Sequence, residues 1–153
     1  MIPPAPNFDA PRGIAIDSTG NVWVTNPFGN SVTELNSSGG LVGNYDPDGA
    51  NFSNPTDLAI DPAGDVWVSN LNAASVTELT SSGDLAGNYD PGSSFIFPYG
   101  VAIDASGNAW VANFLGNSVT ELTSGGNLAG NFAPAGADLD FPEGIAADAS
   151  GNV

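Results

Sequence analysis

Short apolar runs of three to five residues recur along the whole chain, separated by clusters of Gly, Asn, Asp and Ser. The first four runs are Ile14-Ala15-Ile16, Val22-Trp23-Val24, Ser31 to Leu35 with its Val-Thr-Glu centre, and Leu41 to Tyr45. Each is too short for a helix and rich in β-branched or aromatic residues, so each predicts a strand, over residues 13–16, 22–25, 31–35 and about 41–45. The first two runs are apolar at consecutive positions rather than alternate ones. That pattern belongs to strands covered on both faces by neighbouring layers.

The runs form a repeat. Pro11 to Leu35 returns as Pro55 to Leu79 and as Pro98 to Leu122, and it begins again at Pro142 before the sequence ends at Val153. Trp23, Trp67 and Trp110 stand 44 and 43 residues apart, and Glu34, Glu78 and Glu121 keep the same spacing. Four strands in a period of about 40–45 residues is the spacing of a propeller blade. The expectation is therefore an all-β chain: a β-propeller arc with blades at 11–54, 55–97 and 98–141. Residues 142–153 would supply the inner strand and first turn of a fourth blade, and residues 1–10 an extended linker. Three blades are half of six, so a second copy could close a six-bladed ring as a homodimer.

The turn after the first strand is the clearest local signal. Asp17 to Asn21 recurs at Asp61 to Asp65, Asp104 to Asn108 and Asp148 to Asn152, each time with Gly in the fourth place. Asp accepts bonds from the turn backbone and Gly supplies a positive φ, so the motif reads as a hairpin turn. A calcium loop needs several ligand oxygens at alternating positions, and this turn offers one or two. Because Glu34, Glu78 and Glu121 are the same in every repeat, they read as structural, bonded to a neighbouring turn. The tryptophans read as wedges between blades, with Ala15, Ala59, Ala102 and Ala146 letting adjacent sheets approach.

Charge changes the picture of partners. Seventeen acidic residues face one base, Arg12, giving a formal net charge of −16, with no His and no Cys. Nucleic acid needs clustered Lys and Arg, and an anionic membrane surface attracts the same groups, so neither is an expected partner. Without Cys there are no disulfides and no thiolate chemistry. No apolar run approaches the roughly 18 residues that would span a bilayer. No signal peptide is visible at the first residues, and an extracellular or periplasmic location is favoured if a leader has been removed.

The run Pro-x-Gly-Ile-Ala-x-Asp-x-x-Gly-Asn-Val-Trp-Val-x-Asn resembles the NHL-repeat propellers and is similar to gluconolactonase-like and streptogramin-lyase-like ones. The resemblance implies a channel whose mouth holds any ligand. Residues there differ between repeats: Arg12-Gly13, Thr56-Asp57, Tyr99-Gly100 and Glu143-Gly144 before the inner strands. Asn26-Pro27-Phe28, Asn70-Leu71-Asn72 and Asn113-Phe114-Leu115 follow the second strands. The candidate ligand-binding set is Arg12, Asn26, Asp57, Asn70, Tyr99, Asn113 and Glu143. Lyases of this type depend on histidines, which the sequence lacks, so no catalytic residue is assigned. A gluconolactonase-like hydrolase would hold a divalent cation, and Asp57, Asn70, Asn113 and Glu143 are ligand types for one such as calcium. The leading reading is a self-assembling scaffold or recognition module, needing no cofactor, whose protein or small-molecule ligand the sequence leaves open.

Overall fold

The computed structural model describes residues 8–153; the first seven residues of the expected linker lie outside that range. Twelve strands follow one another: β1 (Ile14–Ile16), β2 (Val22–Asn26), β3 (Ser31–Leu35), β4 (Leu41–Tyr45), β5 (Pro55–Ile60), β6 (Val66–Asn70), β7 (Ser75–Leu79), β8 (Leu85–Tyr89), β9 (Pro98–Ile103), β10 (Ala109–Asn113), β11 (Ser118–Leu122) and β12 (Leu128–Phe132). One 3-10 turn, Gly92–Ser94, precedes β9. The strands form three antiparallel sheets of four, each a simple meander in chain order.

Register explains why the repeat needs the residues it has. Ala15 pairs with Trp23, Trp23 with Glu34, and Glu34 with Gly43, and the same Ala–Trp–Glu–Gly row crosses the other two sheets. A small residue on each outer flank of the row leaves room for the indole. Two residues after the Gly, the Tyr45 ring lies back over Gly43 and stacks on Trp23 at a centroid separation of 5.3 Å. Trp67–Tyr89 and Trp110–Phe132 stack likewise at 5.4 and 5.6 Å.

The predicted hairpin turn forms in every repeat. Asp17 Oδ1 accepts the amide N–H groups of Thr19 and Asn21 at 2.8 and 2.9 Å, and Oδ2 accepts the Trp23 indole N–H at 3.2 Å. Asp61 and Asp104 do the same for their own tryptophans. Gly20, Gly64 and Gly107 close these turns at φ of +88°, +94° and +83°, where a Cβ would be strained. What burial there is raises the Asp17 carboxyl, but its bonds to Thr19, Trp23 and Asn21 outweigh that and hold it at about 2.

Each joint between sheets brings two unlike faces together. The first sheet contributes its tryptophan face, with Ala15, Trp23, Val32 and Tyr45. Against it lies the aliphatic face of the second, with Leu58, Ile60, Val66, Val68, Leu79 and Leu85. The second sheet turns its tryptophan face to Val101, Ile103, Ala109, Val111 and Leu122 of the third. Tyr45 also rests on Gly83 of the next sheet, and Tyr89 on Gly126, positions that leave no space for a Cβ. At the inner edge Thr25 Oγ1 donates to Thr56 O, and Ser69 Oγ to Tyr99 O, strapping one sheet to the next.

Two faces have no such cover. The aliphatic face of the first sheet leaves Ile14 and Ile16 65% and 67% exposed, and Gly39, the counterpart of Gly83, meets nothing within 4 Å. The tryptophan face of the third leaves Phe132 44% exposed beside a cavity of about 260 Å³ lined by Trp110, Val119, Pro134 and Leu139. The expected inner strand over 142–153 does not form as a strand. Its turn closes, with Asp148 N–H donating to Asn152 O, and Glu143 touches Gly100 where a fourth inner strand would lie. No strand beyond β12 lies beside it among the described residues. Ala112 also replaces the hydroxyl that straps the earlier sheets at this point.

Candidate functional site at the inner edge

The inner strands β1, β5 and β9 lie side by side, so the residues entering them and the turns leaving β2, β6 and β10 gather at one end of the molecule. The inner edge is tight. A Cβ on Gly13 would stand 2.7 Å from the Asp57 Cα and 2.9 Å from its Oδ1, so only glycine fits opposite Asp57. Gly13, Gly100 and Gly144 occupy the place that Asp57 holds in the second repeat.

Asp57 is half-buried there. Its Oδ2 accepts the Val101 amide N–H at 3.2 Å, tying the second inner strand to the third. Burial pushes its carboxyl above the ordinary range, and bonds from the Val101 and Leu58 amides offset this only in part. Arg12, the single base, lies over the ring of Tyr99 at 4.9 Å from the centroid. Tyr99 in turn meets Phe114 at 5.8 Å, and Phe114 meets Phe141 at 5.1 Å. The result is a ladder of one cation from the first repeat and three rings from the third. Beside it a cleft of about 280 Å³ is lined by Arg12, Pro27, Phe28 and Asn54, with Phe28 exposed.

The structure thus brings Arg12, Asp57 and Tyr99 to the inner edge, and Glu143 stands exposed near Gly100. Asn26, Asn70 and Asn113 end β2, β6 and β10 at the same end of the sheets but turn inward. All three are fully buried, and each donates Nδ2–H bonds to a Ser and a Thr of the neighbouring strand in its own sheet. Of the four oxygen-bearing residues considered for a divalent cation, Asn70 and Asn113 are thus buried within their own sheets, Asp57 is half-buried and Glu143 exposed. Phe114 and Phe141 are the ring-bearing residues that the sequence-based set leaves out. Their signal was available: they vary between repeats, whereas the three asparagines do not.

Among the described residues one group of three carboxylates comes close enough to share an ion, Asp61, Asp65 and Glu78, with oxygens within 4.8 Å of one another. It lies at the opposite end of the second sheet, in the turn. In the first and third sheets an asparagine holds the middle place and donates to the glutamate, Asn21 to Glu34 at 2.8 Å and Asn108 to Glu121 at 3.2 Å. Asp65 cannot donate that bond.

No family model matches the sequence, and a comparison with curated proteins returns no match. Solved structures do match. A streptogramin B lyase superposes with a TM-score of 0.79 at 22% identity, covering 91% of this chain and 45% of its own. Kuenenia stuttgartiensis hydrazine synthase gives 0.79 at 20%, covering 95% and 41%. A chain of a nidogen/laminin complex gives 0.71 at 17%, covering 92% and 52%. The chain is half of a β-propeller. The three sheets are its blades. The chain spans about half the length of the solved propellers it matches. The streptogramin B lyase is a seven-bladed propeller, against the six blades expected from two copies of three. At these identities the likeness carries the fold and no activity.

Proposed function

We propose that this half-propeller is a recognition scaffold without catalysis of its own, which closes its ring by pairing head to tail with a second copy and offers its channel mouth to a ligand. The observation that carries the reading is the complementarity of its two uncovered faces. Within the chain, a tryptophan face receives an aliphatic face twice, and each time an aromatic ring settles on a glycine of the next blade. The third blade presents the same tryptophan face and the ring of Phe132. The first presents the same aliphatic face and the empty place above Gly39. A second copy related by a twofold axis satisfies both at once.

Such a pair counts six blades, so each blade turns by about 60° rather than the about 51° of a seven-bladed ring, both within the range that propellers adopt. Residues 142–153 yield their place to the partner's inner strand, which is backed by a whole blade. At the mouth, the ring ladder suits an apolar or aromatic ligand surface, and Arg12 suits a single negative charge on it.

Sedimentation equilibrium at micromolar concentration tests the assembly. The expected species has about twice the 15.3 kDa of the chain. A stable single copy over the whole concentration range overturns it, because two uncovered joints would then exist without cost.

A further inference from the structure

A second cleft, of about 460 Å³, lies away from the channel mouth, where the connection from the first blade crosses the second. It is lined by Asn51, Phe52, Ser53, Ser75, Asn88 and Asp90, with Ala73 beside them. We infer that this cleft is a binding site for a neutral polyhydroxylated ligand, a monosaccharide unit, held by Ser75, Asn88 and Asp90.

The warrant is a set of hydrogen-bonding groups that the first blade satisfies internally and the second leaves open. In the first blade Asn44 Oδ1 accepts both the Ser31 and the Thr33 hydroxyl, at 3.1 and 2.8 Å. In the second, Asn88 Oδ1 accepts only Thr77, at 3.3 Å, while Thr77 also donates to Ala50 O. Ser75 is only 2% exposed, and its oxygen accepts from Asn70 at 3.3 Å. Its own O–H has lost the acceptor that Ser31 has. The fully buried Asn70 Oδ1 has no partner either, a feature it shares with Asn113 Oδ1 of the third blade. An unmade bond at a buried hydroxyl costs free energy unless something in the cleft completes it.

The lining also selects the ligand. Asp90 Oδ1 accepts the Gly92 amide N–H at 2.9 Å, which leaves its second oxygen to accept from a ligand hydroxyl. Asn88 can donate through its amide, and Ser75 can donate through its O–H. A sugar hydroxyl both donates and accepts, so neighbouring hydroxyls of one ring match this set. No base lines the cleft, and the carboxylate together with the chain's negative charge repels anions. One carboxylate is too few for a dedicated calcium cage. The third blade provides an internal control. There Ser118, Thr120, Asn131 and the partnerless Asn113 Oδ1 repeat the bonding of the second blade, but Ile96 replaces Ser53 and Ala133 replaces Asp90, so the lining loses its carboxylate and a hydroxyl.

Two-dimensional amide NMR of the full chain, titrated with glucose, galactose and mannose and with the corresponding uronic acids, decides the matter. At least one neutral hexose should shift the amides of Asn51, Ser53, Ser75, Asn88 and Asp90 with millimolar affinity, while the amides of Ser118 and Asn131 stay still. Uronic acids should shift them at least tenfold more weakly. Asp90→Ala, a change at an exposed side chain, should abolish the shifts while leaving the rest of the spectrum in place. The inference is overturned if no hexose moves these amides at tens of millimolar, if Asp90→Ala binds as the parent does, or if the third blade responds equally.

Discussion

At the scale of single residues, the informative positions are those where one repeat breaks the pattern of the others. Asp65 is one. It places a third carboxylate beside Asp61 and Glu78 where an amide should donate, and Glu78 is only 8% exposed. Burial drives the Glu78 carboxyl upward, the Tyr89 hydroxyl bond pulls it back, and the charges of Asp65 and Asp61 push it up further. The folded protein therefore holds that proton more tightly than the unfolded chain does. Its contribution to stability falls as pH rises above the ordinary carboxylate range. Asp65→Asn restores the donor found in the other blades. It should stabilise the protein by about 1 kcal/mol at neutral pH in urea unfolding, and the gain should shrink as pH falls and Glu78 takes up its proton. A gain that stayed constant down to acid pH would show that charge repulsion is not the cause. Asp17 works the other way: its carboxyl is depressed, so its stabilising bonds are lost only as pH falls towards about 2.

At the scale of elements, the blade was legible in the sequence almost strand for strand. The turn Asp and Gly, the β-branched runs and the period were enough to place β1 to β12, because each of those signals acts within a few residues. Of the inner strand and turn expected over 142–153, the turn forms and the strand does not, because a turn is set by local residues and a strand by a paired neighbour. The mouth was half legible. Arg12 and Tyr99 stood out as residues that vary over an unvarying frame, yet their contact joins the first and third blades, and spacing alone does not reveal it. Asn26, Asn70 and Asn113, the same in every repeat, are buried and bonded within their own sheets. The joints between blades make the sharpest prediction here. Trp67 is fully buried between two blades, whereas Trp110 is covered on one side only. Trp67→Ala should cost about 3–5 kcal/mol in denaturant unfolding, and Trp110→Ala clearly less in the single copy. Gly83→Ala should destabilise through both its positive φ and the Tyr45 ring above it, while the open Gly39→Ala suffers only the backbone strain. Equal costs at the two glycines would mean that the ring contact contributes nothing.

At the scale of the whole molecule, charge bears on both folding and the proposed assembly. With a net charge of −16 on 153 residues, self-repulsion opposes both compaction and the meeting of two copies. Added salt screens it over about 10 Å at 0.1 M, so the melting temperature near neutral pH should rise with salt and the proposed dimer should tighten. A melting temperature that falls steadily with salt, without aggregation, would contradict this account. The Arg12–Tyr99 ladder gives a separate handle. Arg12→Ala removes the only base and the cation over Tyr99, a contact worth about 0.5–1 kcal/mol at an exposed site, so it should change stability little while removing any preference for negatively charged ligands at the mouth.

The two bare faces are unlike, and that gives the molecule a direction, as a monomer of a polar filament has a front and a back. A copy spoiled on one side becomes a terminator that can still be joined on the other. Ile16→Asp spoils the front and Phe132→Asp the back, and each alone should run as a single copy. Mixed in equal amounts, they retain one sound joint between them and should yield a species of two copies and nothing larger. A self-complementary patch could not be rescued in this way. The same polarity carries a hazard: whenever the turn per blade fails to bring front and back together, the chain has every contact it needs to keep adding copies of itself into an open helix.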